Sequence, residues 1–478
     1  MSQQTNSNTN LKELSFIALF SLIFGSMMGS GVFDVPQNVS SGADVVAISI
    51  GWIITTIGVF ALSWAFVHIC KKRPDIKSGL YGYAKHGFGD YVGFNAAWGY
   101  ALNSLLANAS YLIYICATLG NFTIFKFFGT GNTVHALIFE SLLIWAVYFL
   151  VRLGIREAVT VNTIITIVKI IILIGIIFIL IFAFNWAKFK TNMHFEPRLG
   201  SLFAQTKSTM LVTVWNFTGI EAACIFALRA KKMQDVIKAT MLGAFCVCLM
   251  CALISILPFG ILDGHTIRTL STPSTAGILA AIYGIRSADF VRIAVVISVL
   301  GALLAWTMLA SNMFYLAATD KTMPKLFTKT NAHGVPINAL FISSIVAQAF
   351  ICMAFFTNEV YLGMIQLATS LILLPYLLAT LFAMKLVLTE GKFDTLAALK
   401  GLLAVLYGVW LVYSGGLKYL ALSSMLYLVG AIFYFIARKQ EKMALFANRW
   451  EMLLFILFIA ITLGTLIVCP HILSHLNP

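Results

Sequence analysis

Two short segments of the chain combine glycine with polar side chains inside long apolar runs, a composition suited to a ligand site within a membrane. They read FGSMMGSGVFDVP (residues 24–36) and VTVWNFTGIEAA (residues 212–223). Glycine and polar residues interrupt a membrane helix and leave backbone N–H and C=O groups without partners, which a bound substrate can supply. Two corresponding interruptions predict a substrate held between two broken helices.

The glycines of the first segment permit a second interpretation. Gly25 and Gly29 form a GxxxG pattern, which commonly marks close packing between membrane helices. Packing alone explains neither Asn216 nor Glu221 in the second segment, so a substrate site is favoured. Nucleotide binding is not predicted, because the chain contains no GxxxxGK[ST] motif and no G-x-G-x-x-G after a strand.

Lys169, Glu221 and Glu140 lie deep inside apolar runs, where a charge costs about 2.5–3.5 kcal/mol on an insertion scale. Lys169 has no Asp or Glu within one helical turn, and snorkelling from that depth is unfavourable, so a functional role is predicted. Glu221 follows the second interruption and is predicted to act in the pore, with a structural hydrogen bond as the alternative. Glu140 is predicted to be structural.

Other kinds of chemistry find little support in the sequence. The eight histidines are scattered, and no His/Asp/Glu cluster has the spacing of metal ligands. Cys248 and Cys251 form a C-x-x-C pair, for which small packing residues are the favoured interpretation. No nucleophile and base stand out together, so the sequence predicts neither an enzyme nor a cofactor nor a metal site.

The elements that position these groups must be membrane helices. Of 478 residues, 60% are hydrophobic and only 10% are charged, against about 25% charged in a soluble domain. A short external helix is expected within 263–287. Since about 20 apolar residues cross a bilayer, an all-α polytopic membrane protein is predicted with thirteen spans near 14–35, 45–70, 93–120, 134–151, 159–185, 207–228, 238–262, 290–318, 337–357, 360–388, 398–414, 418–437 and 450–469.

The distribution of basic residues predicts the orientation of these spans. With the N-terminus in the cytoplasm, 22 of the 32 Lys and Arg residues fall in cytoplasmic segments and seven in external loops. This excess follows the positive-inside rule. The net charge of +14 is therefore explained by membrane topology, and no nucleic-acid partner is predicted.

Four separated motifs carry a resemblance to a known family. GSMMGSGVFDVPQN, SGLYGYAKHGFGDYVGFNAAWGY, LVTVWNFTGIEAACIFALRAKK and LGALLAWTMLASNMFYLAATDKTMP resemble the basic amino acid/polyamine antiporters of the amino acid–polyamine–organocation superfamily, in particular their arginine/ornithine branch. The likeness covers about residues 12–388. It implies an inverted-repeat transporter fold of five plus five helices, with helices 1 and 6 discontinuous and two or three further C-terminal helices. The implied division is a cytoplasmic tail (1–12), a transport core (13–388) and C-terminal helices (389–478).

The resemblance also implies roles for single residues. Ser30 and Gly31 would cradle the substrate carboxylate, carbonyls near Trp215 to Thr218 would take the α-amino group, and Trp215 would stack on the substrate. Lys169 would join span five to span one, where sodium lies in sodium-coupled relatives. The implied substrate-binding set is Met27, Ser30, Gly31, Tyr100, Asn103, Ser104, Asn108, Trp215, Phe217, Thr218 and Ser370. Asn108 and Ser370 would bind the distal cationic group.

Gates are implied at two positions, and two residues depart from the family pattern. Trp306 would form an inner gate, and Glu221 an outer gate. Asp34 stands where relatives usually carry an uncharged residue. Leu378 is expected to stand where arginine/agmatine exchangers carry a gating tyrosine, which weakens the agmatine interpretation.

The function implied is exchange of external arginine for internal ornithine across a bacterial inner membrane, without a cofactor. The alternatives are an arginine/agmatine antiporter and a proton-coupled lysine or arginine permease. An amino acid receptor that does not transport is disfavoured, because the loops and tails are short. Basic amino acids, amines and membrane lipid are the expected partners, and a homodimer is left open because relatives dimerise through their C-terminal spans.

Overall fold

The protein is an assembly of α-helices in a computed structural model that describes residues 14–356, 360–389 and 394–468. Short loops and 3-10 turns join the helices. In chain order the α-helices are α1 (Phe16–Met27), α2 (Gly31–Ser40), α3 (Val45–Lys72), α4 (Gly79–Phe88), α5 (Asp90–Leu119), α6 (Val134–Leu153), α7 (Ile155–Ala183), α8 (Trp186–Asn192), α9 (Leu202–Phe217), α10 (Ala222–Ile225), α11 (Met233–Ile256), α12 (Gly264–Arg268), α13 (Ser274–Tyr283), α14 (Ile285–Thr319), α15 (Ile337–Phe355), α16 (Val360–Thr389), α17 (Thr395–Ser414), α18 (Gly416–Glu441) and α19 (Arg449–Val468).

Twelve helical segments within the described ranges are long and apolar enough to cross a membrane. They correspond to twelve of the thirteen predicted spans, with α1 and α2 together forming the first. The sixth predicted span, 207–228, is represented by α9 and α10, which are individually shorter because the chain breaks between them. The expected short helix within 263–287 is α13, whose ten residues are too few to span a bilayer.

Both predicted helix interruptions are confirmed. The first lies between Met27 and Gly31, and the second between Phe217 and Ala222. At the second break Gly219 adopts φ +111°, a conformation that favours glycine. The half-helices pack as pairs, α1 against α10 and α2 against α9, so the two breaks lie side by side.

Two long helices enclose these breaks. α5 packs against both α14 and α16, and α14 also contacts α1. The most apolar 18-residue window of α5 is 89% buried, whereas that of α19 is 11% buried. α5 is therefore central, and α19 lies at the edge of the bundle.

The C-terminal helices are bound to the start of α5 by polar contacts. Arg438 of α18 donates to Asp90 over 2.8 Å. Glu451 of α19 accepts from the backbone N–H groups of Tyr91 and Ala447 over 3.1 and 2.6 Å. These contacts hold α18 and α19 against the central helix.

Candidate substrate-binding site

One face of α5 points toward both breaks. Tyr100, Ser104, Asn108 and Tyr111 recur at intervals of four, four and three residues, which places them on one helical stripe. The Tyr100 hydroxyl lies at the Glu221 carboxyl, and the Tyr111 ring centroid lies 5.8 Å from that of Trp215. Tyr100, Ser104 and Asn108, which the resemblance implies as substrate-binding residues, therefore share one face of α5.

The break in the first span presents the N-terminus of α2 to Trp215. Ser30 caps this helix and Gly31 begins it. A Cβ atom at Gly31 would lie 2.6 Å from Trp215 Cδ1 and 2.7 Å from Asn216 Oδ1. Only glycine leaves room for this approach, and the helix N-terminus is a favourable place for a carboxylate.

Close packing also explains two neighbouring glycines. A Cβ at Gly25 would meet Thr166 and Asn162 of α7 at 2.9–3.2 Å, and a Cβ at Gly29 would meet the Tyr111 hydroxyl at 2.6 Å. The packing interpretation therefore holds for these two residues, alongside the helix break. Met27 ends α1 immediately before the break and is buried.

In the second break, Phe217 and Thr218 are buried and form local contacts. The Phe217 ring lies edge-on to Trp52 of α3, with centroids 6.2 Å apart. The Thr218 hydroxyl donates to the Val214 carbonyl over 3.1 Å. Phe217 therefore contributes its carbonyl to the break while its ring faces α3.

Trp306 of α14 lies between the two breaks and is 1% exposed. Its indole N–H donates to the Ser26 carbonyl over 3.0 Å, and its ring packs on Tyr100 with centroids 5.8 Å apart. An opening at this point would require the indole to leave Ser26. The gating role itself stays a prediction.

Lys169 joins α7 to the end of α1. Its ammonium donates to the carbonyls of Gly25 over 3.1 Å and Met28 over 2.6 Å. These carbonyls belong to the C-terminal end of α1, where the helix dipole favours a cation. The side chain is 1% exposed, so it does not snorkel to the surface. Its role in coupling stays a prediction.

Ser370 and Asn103 form hydrogen bonds with helices outside this set. The Ser370 hydroxyl contacts Ser423 over 2.5 Å and lies 3.3 Å from the Tyr419 carbonyl, both on α18. The Ser370 hydroxyl therefore contacts α18, and its substrate-binding role stays a prediction. Asn103 occupies the neighbouring face of α5 and donates to the Ala368 carbonyl of α16 over 2.8 Å.

A tyrosine two residues before Leu378 contacts Glu221. The Tyr376 hydroxyl donates to Glu221 over 2.6 Å, whereas Leu378 packs with Ala84 and Val92. Two residues along a helix correspond to a rotation of about 200°, so Leu378 faces away from Glu221. Leu378 therefore does not mark the loss of a tyrosine contact with Glu221, because Tyr376 makes that contact. Tyr376 is the only tyrosine between 363 and 389, a signal that could have found it.

The position of Glu221 bears on its predicted gate. Glu221 precedes α10, and the chain after α10 pairs with the residue before α1: the Leu14 N–H donates to the Arg229 carbonyl, and the Lys231 N–H to the Leu14 carbonyl, each over 3.0 Å. Glu221 therefore lies on the side of the breaks nearer Leu14. A cytoplasmic N-terminus and an outer gate at Glu221 are thus two predictions that exclude each other, and each stays a prediction.

Asp34 links α2, the second half of the first span, to α13. Its carboxylate accepts from the Ser274 backbone N–H over 2.6 Å, and the Ser274 hydroxyl donates to the Phe33 carbonyl over 3.1 Å. This carboxylate is thereby held at the N-terminus of a ten-residue helix, which stabilises negative charge. Asp34, which stands where relatives usually carry an uncharged residue, thus forms a structural contact with the start of α13.

Three buried amide oxygens in and beside the site have no hydrogen-bond partner. Among the described residues, the amide oxygens of Asn103, Asn108 and Asn216 are buried without a hydrogen-bond partner. Their amide nitrogens are occupied, by Ala368, Thr307 and Val212 respectively. Buried polar atoms are usually paired, so this arrangement suits a ligand rich in N–H donors. No metal-binding cluster of His, Cys, Asp and Glu occurs in the ranges that the structure describes.

The broken helices and the buried polar site between them define a multi-pass membrane protein with the architecture of a permease. A family model described as amino acid permease matches residues 14–461. The chain belongs to this family.

Three relatives illustrate the similarity. An arginine/ornithine antiporter of Pseudomonas aeruginosa is 39% identical over 98% of each chain. An arginine/agmatine antiporter of Chlamydia felis is 37% identical over 92% of this chain and 93% of its own length. One of Chlamydia pneumoniae is 36% identical over the same shares. The similarity to each relative thus extends over nearly the whole chain.

Proposed function

We propose that the protein exchanges external arginine for internal ornithine by alternating access. The observation that carries this proposal is that the amide oxygens of Asn108 and Asn216 are buried with no hydrogen-bond partner among the described residues. A substrate with several N–H groups and a positive charge would satisfy them. The names of the relatives support arginine and ornithine as the pair.

Each part of an amino acid has a matching group around the breaks. The carboxylate would bind at the N-terminus of α2, at Ser30 and Gly31, and the α-amino group at carbonyls between Trp215 and Thr218. The Trp215 ring would stack on the side chain, a contact that contributes roughly 0.5–2 kcal/mol. The Asn108 amide oxygen would accept from the distal cationic group.

Opening toward the cytoplasm would require two contacts to break. One is the Tyr376 hydrogen bond to Glu221, and the other is the Trp306 hydrogen bond to Ser26. Lys169 would transmit movement between α1 and α7, because its ammonium binds the end of α1. In the alternative, a proton-coupled permease, loss and return of the Lys169 proton would couple transport to protons.

The larger assignments follow the same proposal. Residues 13–388 would form a core of two inverted five-helix repeats, preceded by a cytoplasmic tail (1–12) and followed by C-terminal helices (389–478). The excess of basic residues in the predicted cytoplasmic loops supports a cytoplasmic N-terminus in a bacterial inner membrane. The C-terminal helices would carry a homodimer contact in lipid.

The test is uptake of labelled arginine into proteoliposomes loaded with ornithine, with agmatine or with no amine. If the protein is an exchanger, uptake should be rapid only when the vesicles contain an amine. Accumulation in empty vesicles under a pH gradient alone would contradict exchange and favour the proton-coupled permease.

Arginine/agmatine exchange is the second candidate, and Tyr376 favours it by restoring the expected gating tyrosine. Arginine and ornithine each carry one net positive charge at neutral pH, whereas agmatine carries two. Exchange with agmatine therefore moves one charge, worth about 2.3 kcal/mol per 100 mV. An imposed potassium–valinomycin potential should leave arginine/ornithine exchange unchanged. Uptake driven far better by internal agmatine and shifted by that potential would identify the second candidate.

A further inference from the structure

Thr307 is buried, and its only hydroxyl proton already forms a hydrogen bond. It follows Trp306 on α14 and is 3% exposed. Its hydroxyl donates to the Leu303 carbonyl over 2.7 Å. A hydroxyl has one proton and two lone pairs, so toward any other neighbour Thr307 can act only as an acceptor.

That neighbour is Asn108. The Asn108 amide nitrogen donates to Thr307 Oγ1 over 3.1 Å, and the amide oxygen is buried with no hydrogen-bond partner among the described residues. An amide presents N–H₂ and C=O in nearly the same shape, so its orientation depends on what each end meets. Thr307 therefore accepts from the amide nitrogen, and the amide oxygen stays available to a ligand.

We propose that Thr307 is a positioning residue that sets the orientation of the Asn108 amide and thereby selects substrates whose distal group carries only donors. This inference rests on the proposed function, with arginine as a substrate. The guanidinium of arginine and the ammonium of ornithine offer N–H donors and no acceptor. Either of them can satisfy the free Asn108 oxygen.

The geometry discriminates against one close analogue in particular. Citrulline has nearly the shape of arginine, but its ureido group carries an oxygen in place of one guanidinium nitrogen. Where this oxygen faces the Asn108 oxygen, two buried acceptors remain unpaired, which is costly. Without Thr307 as an acceptor the amide can turn, present its N–H₂ group and receive the ureido oxygen.

The experiment compares substrate selectivity in Thr307→Val, which removes the acceptor at nearly constant volume, with Thr307→Ser, which keeps it. Proteoliposomes loaded with ornithine take up labelled arginine, and the half-inhibitory concentrations of unlabelled arginine and citrulline are measured. We expect Thr307→Val to weaken arginine about five-fold without weakening citrulline. The preference for arginine over citrulline then falls by about the same factor. Thr307→Ser, which keeps the acceptor, should retain the wild-type preference.

A double-mutant cycle separates positioning from direct contact. In an Asn108→Ala background, adding Thr307→Val should change the arginine-to-citrulline ratio by less than about two-fold, because Thr307 acts only through Asn108. If the whole effect persists in that background, Thr307 contacts the substrate directly and the positioning role is contradicted.

The remaining outcomes are also decisive. An unchanged selectivity ratio in Thr307→Val, with arginine exchange intact, overturns this inference and leaves the proposed function standing. If the wild-type protein does not take up arginine, the proposed function fails first and this inference falls with it. Should Thr307→Val not fold, Thr307→Ala removes the same acceptor and the same ratio decides.

Discussion

At the scale of single residues, the site depends on aromatic groups held at fixed distances from the backbone. Trp215 lies against Gly31 so closely that no Cβ would fit, and its ring packs on Tyr111. The indole is 5% exposed and has little freedom to move. A substrate bound at the start of α2 would therefore meet the indole in a preset position.

We expect Trp215→Leu to weaken arginine binding by roughly 1–2 kcal/mol, or about ten-fold, because an aliphatic side chain cannot stack on a cation. Isothermal titration calorimetry on purified protein checks this. Trp186→Leu is the matched control, since Trp186 is 60% exposed on α8. Equal affinity in Trp215→Leu and the control would remove Trp215 from the site.

Tyr376→Phe tests the contact with Glu221 at the same scale. Loss of the hydroxyl removes a 2.6 Å hydrogen bond, and such a bond to a charged group is worth about 1.5–3 kcal/mol. As a gate contact it should alter the rate of exchange by about ten-fold or more and arginine affinity by less than about two-fold. Exchange rates and calorimetry measure the two effects, with Tyr283→Phe as an exposed control. A purely structural tyrosine would leave the exchange rate of folded protein unchanged.

At the scale of the helices, Lys169 is the link between α7 and the broken first span. Two carbonyls at the end of α1 accept from its ammonium, and Ser298 of α14 donates to the same Met28 carbonyl over 3.3 Å. Three helices thus meet at the last turn of α1. Movement of α1 during a transport cycle must change these contacts.

Lys169→Ala should leave a folded protein with little exchange, because the carbonyls of α1 lose the cation that ties them to α7. Size-exclusion chromatography establishes folding, and arginine/ornithine exchange across pH 5–9 measures function. Lys439→Ala, which removes an exposed lysine, is the control. Full exchange with an unaltered pH profile would assign Lys169 a structural role only.

At the scale of the whole molecule, a hydrogen-bond network ties distant parts of the chain together. Arg268 donates to Glu196 over 2.9 Å and to the Ser40 carbonyl at the end of α2 over 2.8 Å. The Glu196 N–H donates to Asp44, which caps α3, over 2.8 Å. Gln205 of α9 donates to the Glu196 carbonyl over 2.9 Å. The C-terminal end of α2 and the N-terminal ends of α3 and α9 are therefore joined through one loop.

This network predicts a dependence of stability on pH. The hydrogen bond from Arg268 lowers the pKa of Glu196 below its ordinary value of 4.5. Because the folded-state pKa is depressed, the stabilisation is present above about pH 4.5 and is lost as pH falls through the folded-state value. An exposed pair of this kind contributes less than about 1 kcal/mol.

Thermal unfolding of purified protein in detergent should therefore show a slightly lower Tm for Glu196→Gln at pH 7, with the difference shrinking as the pH falls below 4.5 toward the folded-state pKa. Glu196→Gln combined with Arg268→Met gives the coupling between the two residues. A coupling that does not decrease as the pH falls would mean that the carboxylate charge is not its cause.

The sequence by itself predicted where the membrane helices and the two interruptions lie, because apolarity over about 20 residues and the effect of glycine are local properties. The resemblance named Tyr100, Ser104 and Asn108, and the helical repeat places them on one stripe of α5. Only the tertiary structure decided that Ser370 faces α18 and that Tyr376 binds Glu221. Residues one or two apart point in different directions on a helix. Matching the family pattern to Leu378 in place of Tyr376 therefore selects a side chain that does not face Glu221. The partners of Lys169, Asp34 and Thr307 lie on helices distant in sequence, and no local pattern specifies which helices meet.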